Sequence, residues 1–188
     1  MNKILLSTVL IASLGVATLP VVARAADGTI NITGLVTAGT CKVGTGSPYS
    51  QSVVLPTVQS SALTGVGTVA GSTAFSFAIS GCATTGGPTK ATTYFEPGAN
   101  IDTTTHNLFN TGGATGVEVQ LLNGAGSAAT AFSPIVLGNP IATQNSGTVT
   151  ISAAGGATMN YYAQYYASAA TPTAGTVTSA ATFTMIYQ

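Results

Sequence analysis

Five short runs alternate apolar and polar residues with a period of two, and this pattern limits the fold more than any other feature. TAFSFAIS (73–80) places Phe75, Phe77 and Ile79 on one face. GVEVQLL (116–122) places Val117, Val119 and Leu121 on one face, with Glu118 and Gln120 opposite. TVTIS (148–152), NYYAQYYA (160–167) and ATFTMIYQ (181–188) follow, and SVVLPTV (52–58) and ATTYFE (91–96) are weaker candidates. Successive strand side chains point to opposite faces, so such runs are half-buried strands. Gly, Pro and Asn clusters separate them, and helical periodicity is nearly absent. Short strands with turns between them predict an all-β sandwich rather than a helical or α/β fold. Cys82 is out of phase with Phe75, Phe77 and Ile79. Either the strand ends near Gly81 or a bulge resets its face there.

The first 25 residues have the three parts of a secretory signal peptide: Lys3, the mostly apolar run Ile4 to Leu19, and Ala23-Arg24-Ala25 with small residues at both cleavage-determining positions. The expected mature chain is residues 26–188, which suits one domain plus an extension. Its charge is sparse. Only Lys42 and Lys90 remain, against Asp27, Glu96, Asp102 and Glu118. Two lysines cannot build a phosphate-binding surface, so nucleic acid and a polybasic membrane patch are excluded as partners. Cys41 and Cys82 both lie in the exported part, and an even count in an oxidising compartment predicts a disulfide. On the chain-entropy model, closing that loop stabilises by about 4 kcal/mol before strain is subtracted.

Catalytic constellations are thin. His106 is the only histidine and sits in the polar stretch DTTTHNLF; two cysteines and one histidine do not make a structural zinc site. No G-x-S-x-G elbow marks a serine as a nucleophile. GVGTVAG (65–71) lacks the glycine spacing of a dinucleotide loop, and Glu96 and Asp102 read as solvated loop charges. No enzyme activity and no cofactor are expected. Tyr161, Tyr162, Tyr165 and Tyr166 suggest an alternative, a carbohydrate-binding module, although alternation directs Tyr161 and Tyr165 to one face.

The two ends carry more information. ATFTMIYQ places Phe183, Met185 and Tyr187 on one face and ends the chain, and GTINITGLV before Cys41 also alternates. One of these strands is suited to serve a neighbouring chain by strand addition. The N-terminal run is the better donor, because it precedes Cys41 and is free of the disulfide. At roughly 3.3 Å per residue, residues 26–40 reach about 50 Å, enough to cross a second domain. Within that run Gly34 occupies a place where an apolar side chain is due, which leaves a notch in the face formed by Ile30, Ile32 and Val36.

Together, GTINITGLV before Cys41, FSFAISGC up to Cys82, GVEVQLLN at 116–123, AQYYA at 163–167 and the terminal ATFTMIYQ resemble the major-subunit pilins of type 1 fimbriae, the chaperone–usher fimbrial proteins of Gram-negative bacteria. The resemblance spans essentially the whole chain and implies an incomplete immunoglobulin-like β-sandwich that lacks its last strand. It implies residues 1–25 as signal peptide, 26–40 as donor-strand extension and 41–188 as the pilin domain. Ile30, Ile32, Gly34 and Val36 match the donor face, Cys41 and Cys82 the disulfide, and Phe183, Met185 and Tyr187 the C-terminal strand that borders the groove and pairs with a chaperone. The implied partners are identical or homologous pilin subunits, a periplasmic chaperone, an outer-membrane usher and, through the assembled pilus, a host surface receptor. The implied location is the cell surface, reached through the periplasm. A minor or adaptor pilin and a carbohydrate-binding tip module remain as alternatives.

Overall fold

A computed structural model describes residues 41–45, 49–126 and 132–188. The expected signal peptide (1–25) and donor extension (26–40), with Ile30, Ile32, Gly34 and Val36, lie outside the described residues.

The alternating runs form strands that pair into two antiparallel sheets. The first contains, in spatial order, β1 (Lys42–Val43), β2 (Val69–Ser80), β7 (Ala157–Ala167), β5 (Val117–Asn123) and β4 (Leu108–Phe109). The second contains β6 (Thr148–Thr150), β3 (Lys90–Phe95) and β8 (Phe183–Tyr187). A short 3-10 turn, Ser60–Ala62, and one helical turn, α1 (Ile141–Gln144), are the helical segments among the described residues. The all-β sandwich expected from the period-two runs is therefore present, and its two facing antiparallel sheets suit an immunoglobulin-like description.

The core lies between the sheets, where the apolar faces meet. Phe77 and Ile79 of β2, Met159 and Tyr161 of β7 and Val119 and Leu121 of β5 pack against Ala91 and Phe95 of β3 and Val149 of β6, all buried. Tyr161 is 1 % exposed, its ring lies among Phe75, Phe77 and Phe95, and its hydroxyl donates to the Ser146 carbonyl at 3.2 Å. This burial pushes the Tyr161 phenol up to about 12.

β2 ends at Ser80, and Gly81 takes a positive φ of 66° that turns Cys82 inward, where its N–H donates to the Gly155 carbonyl at 3.0 Å. The phase break before Cys82 is thus a strand end. A separate bulge lies earlier in β2, between Ala70 and Thr73. Cys41 and Cys82 form the predicted disulfide.

The run 52–58 does not become a strand. Val53 and Leu55 pack on the core while Val54 is 81 % exposed, so the alternation is real, but the segment pairs with no strand among the described residues. Pro56, which has no N–H to give a ladder, sits in its middle. In β5 every residue is buried, including Glu118 and Gln120 on the face away from the core. Gln164 donates to Gln120 at 2.9 Å, while Thr105 and Asn107 from the preceding loop donate to one Glu118 oxygen at 2.7 and 3.2 Å.

Candidate functional site

β8 pairs with β3 along one side and forms the edge of its sheet. Lys90 and Gln188 exchange both backbone hydrogen bonds, and Glu96 N–H donates to the Thr182 carbonyl. In an antiparallel ladder, bonded and non-bonded pairs alternate. The even-numbered residues of β8 therefore direct their N–H and C=O groups to β3. Those of Phe183, Met185 and Tyr187 point to the open edge.

The same alternation continues before β8 begins. Thr176 accepts from Ala114 N–H, Thr178 from Thr111 N–H, and Ala180 from the Asn100 amide at 3.4 Å. Asn110 adds a second clamp, accepting from Thr178 N–H at 2.8 Å and donating to the Thr176 carbonyl at 3.3 Å. The even positions are thus tied to the body from residue 176 to residue 188. The odd positions from Val177 to Tyr187 carry no backbone hydrogen bond among the described residues.

Beside this edge runs an open groove of about 1360 Å³. Its floor is the core-facing side of the larger sheet, with Phe75, Phe77, Val119, Leu121, Ala163 and Tyr165. One wall is the edge itself, with Val177, Ser179, Phe183 and Met185; the other is the unpaired segment that includes Tyr49, Val53 and Leu55. Phe183 stacks on Phe77 at 4.3 Å, and Tyr49 meets both rings edge-on at 6.1 and 6.4 Å. An apolar trough along an unpaired strand edge offers main-chain hydrogen bonds and side-chain pockets to an extended peptide. It offers little for acid–base chemistry. Among the described residues no three His, Cys, Asp or Glu side chains come together to hold a metal ion.

The structure brings Phe183 and Met185 onto the groove wall. Tyr187 lies beyond it, partly buried against the core, and this burial raises its phenol above the ordinary value. Cys41 also borders the groove, so the disulfide anchors one end of it. His106 sits in a loop at positive φ with Nδ1 2.9 Å from the Leu137 carbonyl. Asp102 accepts from Thr104 N–H at 2.7 Å, and this hydrogen bond holds its carboxyl below the ordinary range. Of the four clustered tyrosines, Tyr161 is core, Tyr165 lines the groove and Tyr162 packs on Phe132 with ring centres 4.7 Å apart. Sequence alternation does not reveal Tyr49, Val177 or the clamps Asn100 and Asn110. The only trace of the edge before β8 is the weak alternation in TVTSAAT (176–182).

Residues 55–188 match the family model described as FimA, type-1 fimbrial protein A. The chain is 41 % identical over 174 residues to the major fimbrial subunit SMF-1 of Stenotrophomonas maltophilia, covering 91 % of this chain and 98 % of that protein. It is 43 % identical over 166 residues to the F17 fimbrial protein of Escherichia coli, covering 86 % and 88 %. Among solved structures, it resembles an antigen and type I fimbria protein of Burkholderia pseudomallei with a TM-score of 0.51 and 27 % identity, covering 80 % of this chain and 91 % of that one. The chain therefore belongs to the type-1 fimbrial protein family.

Proposed function

We propose that the protein is a structural, non-enzymatic fimbrial subunit whose groove is filled by residues 26–40 of a neighbouring copy. The observation that carries this is the apolar groove beside the open backbone edge of Val177–Tyr187. An alternating strand with Ile30, Ile32 and Val36 on one face suits such an edge in both respects. Burying those three side chains stabilises by about 5–8 kcal/mol before ordering costs, and main-chain hydrogen bonds add to it. Repetition from copy to copy makes a polymer, since a head-to-tail contact that does not close on itself gives a filament.

An unoccupied groove and edge would aggregate. A periplasmic chaperone covering both until exchange at an outer-membrane usher meets that need. Fimbrial relatives and the signal-like first 25 residues support export to the cell surface, where contact with a host receptor would be made by the assembled polymer. The likeness to SMF-1, a major fimbrial subunit, across almost its whole length favours a shaft subunit over a minor one.

The test is deletion of residues 26–37 in cells carrying the complete assembly machinery. Detergent-resistant, heat-sensitive ladders are expected from the intact chain and none from the deletion. A deleted chain that still forms ladders would sink the proposal.

A further inference from the structure

We propose that Met185 is an oxidation site through which a peroxide turns the groove off. The switch rests on the reading of the groove as the seat of a neighbour's strand; the oxidation site itself does not. The chain has three methionines. Met1 opens the signal-like segment, and the other two are held very differently. Met159 is 1 % exposed in the core, whereas Met185 is partly buried and lines the open groove. Thr93, fully buried, stands between them. Its hydroxyl donates to Met159 Sδ at 3.2 Å and lies 3.6 Å from Met185 Sδ.

The chemistry follows from that placement. A thioether sulfur reacts with hydrogen peroxide in a two-electron step: the sulfur lone pair attacks one peroxide oxygen, the S–O bond forms and the O–O bond breaks. The departing hydroxide takes the proton from the transferred oxygen and leaves as water. Sulfur is oxidised and peroxide reduced. The product replaces a flexible apolar side chain with a polar one. Thr93 and Met185 face each other as a non-hydrogen-bonded pair, the closer of the two pair geometries. A sulfoxide oxygen is a far stronger acceptor than either sulfide, so the Thr93 hydroxyl is placed to turn from Met159 to Met185 and hold the oxidised form. A polar group then sits next to Phe183 on the groove wall, where an incoming strand must bury isoleucine or valine. Once a strand is seated, Met185 is covered. Sensitivity therefore belongs to a subunit whose groove holds neither a chaperone nor a neighbour's strand, and a sulfoxide reductase would restore it.

The experiment exposes the isolated full chain and its polymer to hydrogen peroxide and maps added oxygen by mass spectrometry of chymotryptic fragments. In the isolated chain Met185 is expected to oxidise on the order of tenfold faster than Met159, and polymerisation should slow it by a similar factor. Peroxide-treated chain should polymerise on the order of tenfold less than untreated chain, whereas Met185→Leu should polymerise equally before and after treatment. Equal oxidation of the two methionines, or unimpaired polymerisation of chain shown to carry oxygen on Met185, overturns the proposal; neither result depends on the variant folding. Selective oxidation of Met185 combined with ladders that form without residues 26–37 would overturn the groove reading, and the switch with it, while upholding the oxidation site.

Discussion

Phe77 and Phe183 stack at 4.3 Å with their planes 16° apart, joining β2 of one sheet to β8 of the other. This contact closes the sandwich next to the groove. Aromatic pairs contribute about 0.5–1.5 kcal/mol beyond their buried area. A double-mutant cycle between Phe77→Leu and Phe183→Leu, read by urea unfolding, should give a coupling energy in that range. A cycle between Phe77→Leu and the distant Val66→Ala should give roughly zero.

Tyr161 and Tyr187 predict how the fold responds to alkali. Burial raises both phenols, Tyr161 to about 12, above the ordinary value of 10.0. Both keep their protons to higher pH in the folded chain than in the unfolded one. Above pH 10 the unfolded chain therefore loses protons first and is favoured. The stabilisation is complete below about pH 10 and is lost towards pH 12, by roughly 2–3 kcal/mol for Tyr161. Denaturant unfolding at pH 8 and pH 11.5 should show the fall, and Tyr161→Phe should lessen it.

Gln144 stands in for a missing strand. Its side-chain amide accepts from Phe95 N–H and donates to the Phe95 carbonyl, both at 2.8 Å, where β6 no longer reaches. The residue is fully buried. Gln144→Leu keeps the volume but leaves both backbone groups without a partner, at a cost of about 2–4 kcal/mol. Thermal unfolding should show the loss, and exchange of the Phe95 amide proton should accelerate.

Glu118 is buried by its hydrogen bonds to Thr105 and Asn107, and no salt bridge with it is found among the described residues. Glu118→Gln keeps an oxygen acceptor for both donors and should change stability by less than about 1 kcal/mol. Glu118→Leu strands both donors and should cost about 2–3 kcal/mol. Urea midpoints of the two variants separate the role of the acceptor from that of the charge.

Strands whose buried faces alternate are legible in the amino-acid order itself, because one side chain in two must be apolar wherever a sheet covers a core. β2, β5, β7 and β8 fall where their runs predict. Alternation reports which side is buried, however, and not which backbone lies alongside. That is why 52–58 shows inward Val53 and Leu55 without being a strand, and why the groove wall from Val177 to Thr182 leaves so faint a pattern. β1 and β4, at two residues each, are too short to carry a period. The clamps Asn100, Asn110 and Gln144 work through side-chain amides on backbone groups distant in sequence, and no local pattern marks such contacts. Phe183 and Met185 stand out because the terminal run is long and regular; their partners Tyr49 and Thr93 come from elsewhere in the chain.

Asn110 and Asn100 have one further effect. By binding every second residue ahead of β8, they hold that stretch extended on the protein surface before anything lies against it. Straightening a free segment of six or seven residues costs on the order of 1 kcal/mol per residue in backbone entropy. Here that loss is taken once, during folding of the subunit, so an arriving strand forfeits only its own freedom. The two amides thus act as a mould made in advance, and their removal should slow docking even where every apolar contact in the trough is intact.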